Sequence, residues 1–354
     1  MTISTENSTK AFGQAITKLI NKENLTRTEA KKLFAEILEN RQTEMQQGAF
    51  LAALSAKGST VEEIAGSWEA IFELDTVKVT PDINKPLVEN CGTGMDEVNT
   101  FNISTAASII AAAAGVVMAK HGARALTSTS GTIDILEELG VNVECEPDTV
   151  KKSIEKAGIG IFNGMSPKVH PRALGRILAN ISFGTILNTS ASLANPALPQ
   201  YGVRGVYSKE LLNSVPLVMH EIGYKKAIVV HGLDENGNGM DEASTLGTTM
   251  IAELKEDGTV NYYSFEPEDL GLERAFGEDI KPHKDLSTET EALIKVLEGS
   301  GYEARQDITC LNSALIMYLM NITPTLEEGA QYSKSIIRSG KAIKKLEEWA
   351  NVQA

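Results

Sequence analysis

Twice between Val88 and Leu139 the chain leaves a short apolar strand through glycine and enters a helix through hydroxyl and amide residues. That pattern restricts the region to alternating β and α elements with ligand-facing loops. In the first passage the strand Pro86–Asn90 runs into Gly92-Thr93-Gly94, and Asn102-Ile103-Ser104-Thr105 opens the apolar helix Ala106–Ala114. In the second the strand Val116–Ala119 ends at Lys120-His121-Gly122, and the hydroxyl-rich loop Thr127–Ser130 leads to Gly131-Thr132 at the start of another helix. Asn, Ser and Thr cap helix N-termini, where free N–H groups and the positive end of the macrodipole attract anions. Glycine allows close approach of the backbone to a ligand. A lone glycine turn is an ordinary connector, but two in tandem, with a lysine and several hydroxyls between them, point to a doubled phosphate site. The glycines fit neither the Walker phosphate loop nor the dinucleotide fingerprint.

The rest of the chain surrounds this stretch with two kinds of periodicity. Residues 10–76 read as helices over Ala11–Ile20, Glu29–Glu39 (capped by Thr26 or Thr28), Glu44–Ala56 and Val61–Phe72, with Thr60 before the last. Beyond Thr80-Pro81 strands and helices alternate. Further strands are predicted at Val141–Cys145, Gly158–Phe162, Gly202–Tyr207 and Lys226–His231, with helices over Asp148–Ala157 (capped by Asp148) and Lys209–Ile222. The tail is helical again, buried over Asp307–Met320 and amphipathic over Leu326–Trp349. The expected fold class is α/β: a small N-terminal α-helical domain (1–80), and a larger α/β domain (81–354) with a mostly parallel central sheet. Ligands of such sheets bind at the carboxyl ends of the strands, where both glycine turns fall.

Charge narrows the function. With 47 acidic against 33 basic side chains, a net charge of −14 speaks against sequence-independent nucleic-acid binding. An acidic protein that takes an anionic substrate must concentrate positive charge locally or use metal ions. Cys91, Cys145 and Cys310 form neither a disulfide framework nor a metal cluster. The N-terminal stretch does not read as a secretory leader and no apolar run is long enough to span a membrane, so cytoplasm is the expected location. After Lys226–His231 comes the loop Gly232–Ser244. Its Asp234, Asn236, Asn238 and Gly239 begin like a calcium-binding EF-hand loop, but Thr245 stands where the bidentate glutamate belongs. A solvated turn is the simpler reading of those residues.

The segments CGTGMDEVNTFNISTA and AKHGARALTSTSGTIDILEELG resemble the signature of the anthranilate phosphoribosyltransferase family, whose matching segments are GTGGD, TFNIST, KHGNR and a serine-rich loop ending in glycine. Gln47–Ile71 is similar to the family's N-terminal helical domain, which a helical segment near 172–190 is expected to join. The resemblance implies a fold of the nucleoside phosphorylase/phosphoribosyltransferase type. It also implies that the two passages hold the diphosphate and 5-phosphate of phosphoribosyl pyrophosphate (PRPP). Carried over residue by residue, the PRPP site comprises Gly92, Thr93, Gly94, Asp96, Thr100, Asn102, Ile103, Ser104, Thr105, Lys120, His121, Gly122, Arg124, Ser128 and Thr132. GMDEAS resembles the family's magnesium motif, giving Asp241 and Glu242 as Mg²⁺ ligands, with Ser104 as a hydroxyl ligand. Mg²⁺ held by one or two carboxylates plus substrate phosphates is the usual arrangement.

The implied reaction is displacement of diphosphate from the ribose by a small aromatic amine, as in making phosphoribosylanthranilate for tryptophan synthesis, in a homodimer. Lys120 and His121 are the candidates for catalytic side chains, and His121 and His170 for carrying a proton. The acceptor side falls on Ala123, His170, Arg176 and Leu178. Here the chain departs from the family. Met95 and Glu97 replace glycines, Ala123 replaces an asparagine, and Thr127–Ser130 lacks the lysine of the serine-rich loop. Ser190–Pro196 reads SASLANP, and His170–Asn188 is shorter than the family pattern. The acceptor arginine therefore falls on Leu178 or Asn180, with Arg172 or Arg176 as substitutes. Two other readings remain: a non-catalytic nucleotide- or nucleic-acid-binding paralogue, and a pyrimidine nucleoside phosphorylase.

Overall fold

The computed structural model describes residues 3–354 apart from 95, 97, 126–129 and 182, and for residues 3–7 the backbone alone. The chain divides into two compact units, Met1–Lys78 with Met165–Pro196, and Val79–Gly164 with Ala197–Ala354. No helix among the described residues is long and apolar enough to cross a membrane.

The helical unit is built from Ile3–Ile20, Arg27–Leu38, Glu44–Lys57 and Val61–Asp75, joined by Leu174–Asn180 and Leu187–Ser190. Thr26 and Thr60 each begin a helix with a capping box, closed by Glu29 and Glu63. Phe50 packs tilted against Phe12 and edge-on against Phe34 in the core, with ring centroids 5.3 and 5.4 Å apart. A Cβ on Gly66 would collide with the Arg27 carbonyl, so this glycine lets Val61–Asp75 cross Arg27–Leu38 closely. The returning segment is locked in by Trp68, whose indole donates to the Leu193 carbonyl at 2.9 Å.

The α/β unit is organised on one sheet of strands β1 (Leu87–Gly92), β2 (Val117–Gly122), β3 (Ile159–Asn163), β4 (Tyr201–Gly205), β5 (Lys226–Leu233), β6 (Gly239–Met240), β7 (Thr249–Leu254) and β8 (Val260–Phe265). Their order is β3-β2-β1-β4-β5-β7-β8, with β6 pairing β5. β1 to β5 are parallel, as their near-continuous apolar character predicts, whereas β6, β7 and β8 run antiparallel. The register aligns Gly92 with Gly205 and Gly122 with Asn163, so the carboxyl ends of the parallel strands finish together. Helix Ile103–Ala113 is buried along most of its length and packs on Glu303–Leu319, which is apolar on most faces. Each fully buried Leu or Ile at such a contact contributes about 1.5–3 kcal/mol.

Several expectations are corrected. Val141–Cys145 is not a strand: Val141 and Val143 are buried, but the Asn142 N–H donates to the Gln353 carbonyl rather than to a neighbouring strand. Glu146, not Asp148, is the N-cap of Pro147–Ala157, because proline is suited to the first helical position. Lys209–Ile222 is a 3₁₀ turn, Lys209–Asn213, followed by a helix that restarts at Val215, one residue before Pro216. The amphipathic tail breaks into Leu326–Arg338 and Lys341–Val352 at Gly340, whose φ is 70°.

Candidate active site

The geometry centres on carboxylates brought to the strand ends. After β5, Asp234 closes a turn by accepting from the Asn236 and Asn238 N–H groups, both at 2.8 Å. The β5–β6 hairpin then delivers Asp241 and Glu242 beside β1 and β4. A Cβ on Gly205 would collide with the Asp241 carbonyl, and one on Gly92 with its carboxylate, so this register-paired glycine couple makes room for Asp241. The Gly94 N–H, on a backbone with φ 66°, donates to Asp241 Oδ2 at 2.7 Å.

Asp96 completes a trio with Asp241 and Glu242, whose ligand atoms all lie within 4.8 Å of one another. Asp241 and Glu242 are each 8% exposed, and Glu242 Oε2 is buried with no hydrogen-bond partner. Burial, then the charge of Asp241, pushes Asp96 up to about 7. Burial, Asp241 and Asp96 push Glu242 well above the usual carboxylate range. Three crowded carboxylates, with Asp96 and Glu242 resisting ionisation and one oxygen orphaned, fit a hard divalent cation, which relieves both the crowding and the missing bond. Sequence reading placed Asp96 on the substrate side and did not foresee this grouping.

The two helix N-termini differ. No side chain caps Ile103–Ala113. Asn102 instead donates from Nδ2 to Ser130 Oγ at 2.8 Å, tying the two glycine passages together. The first turn is thus open to an anion, with the half-exposed Ser104 in it. Ile103 and Thr105 are fully buried, and Thr105 Oγ1 has no partner. At Thr132–Glu138 the third helical residue reaches back: Asp134 Oδ2 accepts from the N–H of Gly131, the N-cap, and from the Ala125 N–H, both at 2.9 Å. Burial opposes the Asp134 charge, but those N–H groups and Arg124 outweigh it and hold its carboxyl below the usual range.

The remaining sequence candidates are distributed unevenly. Thr93 is structural: its N–H donates to the Gly205 carbonyl at 3.0 Å, and its hydroxyl accepts from the Tyr207 N–H at 3.2 Å. Thr100 is half-buried and Ala123 exposed. Lys120 is 1% exposed; its ammonium donates inward to the Asn90 carbonyl at 2.7 Å and to Ser108 Oγ at 3.1 Å, and burial lowers it to about 8. Asn90 in turn donates to the Ser104 carbonyl at 3.0 Å, so Lys120 braces the helix that begins the site. His121 is buried, packed so closely on Gly164 that a Cβ there would meet its Nε2 at 2.7 Å. Gly122 leaves space for Thr132, whose Cγ2 a Cβ would approach to 2.9 Å. The Arg124 guanidinium is shared among Asp134, Glu137 and Glu144 at 2.8–3.2 Å. Ser128, Met95, Glu97, Thr127 and Thr129 lie outside the described residues.

His170, Arg176 and Leu178 belong to the helical unit. His170 is buried with Nδ1 2.8 Å from the Asp75 carbonyl, and burial lowers its pKa. Asp75 caps Leu174–Asn180 by accepting from the Ala173 and Leu174 N–H groups. Arg176 donates to Gln47 Oε1 and the Ile37 carbonyl, both at 3.2 Å. Leu178 is half-buried. A cavity of 510 Å³ in the α/β unit, lined in part by Arg274, Asp279, His283, Tyr302 and Arg305, includes none of the trio. Its arginines are already paired, Arg274 with Glu266 and Glu268, Arg305 with Glu289.

Comparison with known proteins converges on one family. Residues 84–343 match the glycosyl transferase family a/b domain, and residues 13–74 match its helical bundle domain. The anthranilate phosphoribosyltransferase of Methanococcoides burtonii is 38% identical over 337 residues, 94% of this chain and 91% of that protein. That of Anaeromyxobacter dehalogenans is 39% identical over 335 residues, covering 94% and 96%. The crystal structure of the Thermus thermophilus anthranilate phosphoribosyltransferase superposes with a TM-score of 0.86 at 30% identity, covering 96% of this chain and 99% of that one. A Saccharomyces cerevisiae anthranilate phosphoribosyltransferase in complex with PRPP and Mg has the same fold, with a TM-score of 0.82 at 23% identity over 97% of this chain and 98% of that one. With both domains matched in order and nearly the whole length aligned, the chain belongs to the anthranilate phosphoribosyltransferase family and is a phosphoribosyltransferase.

Proposed function

We propose that this enzyme transfers the phosphoribosyl group of PRPP to the nitrogen of a small aromatic amine and releases diphosphate. The observation that carries the reading is the close trio of Asp96, Asp241 and Glu242, the last two buried, beside the Gly92–Gly94 turn. Those carboxylates, with the Ser104 hydroxyl, would hold Mg²⁺. Bound there, the cation supplies neutralisation of charge on the departing diphosphate. The open N-terminus of Ile103–Ala113, with Asn102 and Ser104, offers N–H and hydroxyl donors to phosphate oxygens, and Gly92 and Gly94 let the backbone come close. Lys120 keeps that turn in place through Asn90 and Ser108 rather than reaching the substrate. Catalysis in this arrangement is positioning plus stabilisation of leaving-group charge, and a neutral aromatic amine needs no strong base.

The test is diphosphate release from PRPP with Mg²⁺, with and without anthranilate. Release stimulated by anthranilate is the expected result, and failure to bind PRPP would sink the reading. One observation favours a second acceptor: Arg176, a substitute for the missing arginine, is engaged by Gln47 and Ile37, and a buried carboxylate without a cation is costly. PRPP binding without anthranilate stimulation would point to an aromatic amine that lacks the carboxylate.

A further inference from the structure

The carboxylates sit on a segment with no strand ladder of its own. Asp241 to Ser244 follows β6 as irregular backbone, yet it is buried, so its N–H and C=O groups need partners from elsewhere. Ser244 is held by its own sheet: its N–H donates to Thr249 Oγ1 at 2.9 Å and its hydroxyl to the Leu233 carbonyl at 2.6 Å. The Glu242 carbonyl lies against Gly232, where a Cβ would collide with it. Ala243, fully buried, is held by Asn312 from the middle of Glu303–Leu319. Asn312 Oδ1 accepts from the Ala243 N–H at 2.9 Å, and its Nδ2 donates to the Ala243 carbonyl at 2.9 Å and to the Ile308 carbonyl at 2.8 Å. A carboxamide can offer one acceptor and two donors at once; aspartate lacks the donors, and leucine lacks both.

We infer that Asn312 is a positioning residue for the cation site. By pairing both polar groups of the residue after Glu242, it fixes the peptide that aims Asp241 and Glu242 at Asp96. The inference rests on reading that trio as a cation site. A structural role alone would lower stability and leave cation affinity unchanged, whereas a positioning role shifts the affinity itself.

The experiment is Mn²⁺ binding to the full-length protein, followed by electron paramagnetic resonance, with thermal melts in parallel. The chains compared are the wild type, Asn312→Ala, Asn312→Leu and a control, Leu293→Ala, which opens the same core far along the chain from the site. Loss of an outer partner of a metal ligand typically weakens metal affinity about 10–100-fold, so both Asn312 variants should shift the Mn²⁺ dissociation constant by that factor. Leu293→Ala should lower the melting temperature without moving the constant. Should Asn312→Ala fail to fold, Asn312→Ser removes the same pairing with less volume loss. Wild-type binding with unshifted Asn312 variants overturns this inference alone. A wild type that binds no Mn²⁺ overturns the cation reading along with it.

Discussion

The α/β unit contains two groups of three carboxylates, and their charges are resolved in opposite ways. Asp134, Glu137 and Glu144 surround Arg124, each within 3.2 Å of its guanidinium. The hydrogen bond it donates to Glu137, outweighing burial and joined by those to Asp134 and Glu144, raises the arginine's pKa further. Asp96, Asp241 and Glu242 have no guanidinium shared among them in this way: Arg204, whose charge acts on Asp241, is paired with Glu89, and burial and crowding raise Asp96 and Glu242 instead. The residue types are nearly the same. A carboxylate cluster supplied with its arginine is architecture, and one left short of positive charge and shielded from water is a site. Arg124, which motif resemblance places at the substrate, joins Thr132–Glu138 to its neighbours in this structure.

The sharpest way to break the comparison is to remove one charge without changing shape. Asp241→Asn keeps an acceptor for the Gly94 N–H, and Glu242→Gln keeps the volume of the orphaned oxygen. Each should lower kcat for diphosphate release by about 100-fold or more, the scale of losing one transition-state charge stabiliser. Activity within a few-fold of wild type would show that the trio is not the cation site. Next in size is Gly205→Ala, whose Cβ would collide with the Asp241 carbonyl backbone. Overpacking of this kind costs about 1–3 kcal/mol, visible as a lower urea midpoint, and activity should fall with it.

The trio's titration gives a third test. Asp96 has its carboxyl raised from 3.8 to about 7. A group whose folded pKa is raised contributes stability that is fully present below the unfolded value and is lost as pH rises through the folded one. Metal-free protein should therefore lose stability between pH 3.8 and about 7, and Asp96→Asn should flatten that slope. Mg²⁺ competes with the same proton, so the rise in melting temperature on adding Mg²⁺ should be larger at about pH 8 than at about pH 6. An Mg²⁺ effect independent of pH would separate Asp96 from the site.

How far the sequence carries depends on how local each feature is. The parallel strands β1 to β5 are legible as apolar runs closed by glycine or polar residues, and Thr26 and Thr60 are legible caps because their partners lie three residues on. β7 and β8 escape notice: Tyr262 and Tyr263 leave β8 largely exposed at the sheet edge, without the alternation that marks a half-buried strand. Val141–Cys145 misleads for the opposite reason, since its alternation buries two valines while its backbone bonds to the chain terminus. Asp241 and Glu242 stand out in their motif. Asp96 joins them only through the register of β1 on β4, Gly205 matters only beside Asp241, and Asn312 only when Glu303–Leu319 is docked. Those three facts are tertiary and carry no local sequence signal.

The smallest expected effect tests the other half of the comparison. Arg124 and its three acids are between 22% and 53% exposed, and exposed ion pairs are worth about 0–1 kcal/mol each after screening and side-chain entropy. Arg124→Gln should therefore move the melting temperature by only a few degrees, less at high salt, and leave the Mg²⁺ dependence unchanged. Asp134 keeps its two backbone N–H partners in that variant, so the link from Thr132–Glu138 back to Gly131 and Ala125 stays in place. A large, salt-independent rise in the Michaelis constant for PRPP, with stability intact, would instead show that the guanidinium leaves its acids to meet substrate. The line between architecture and site would then run through Arg124 rather than around it.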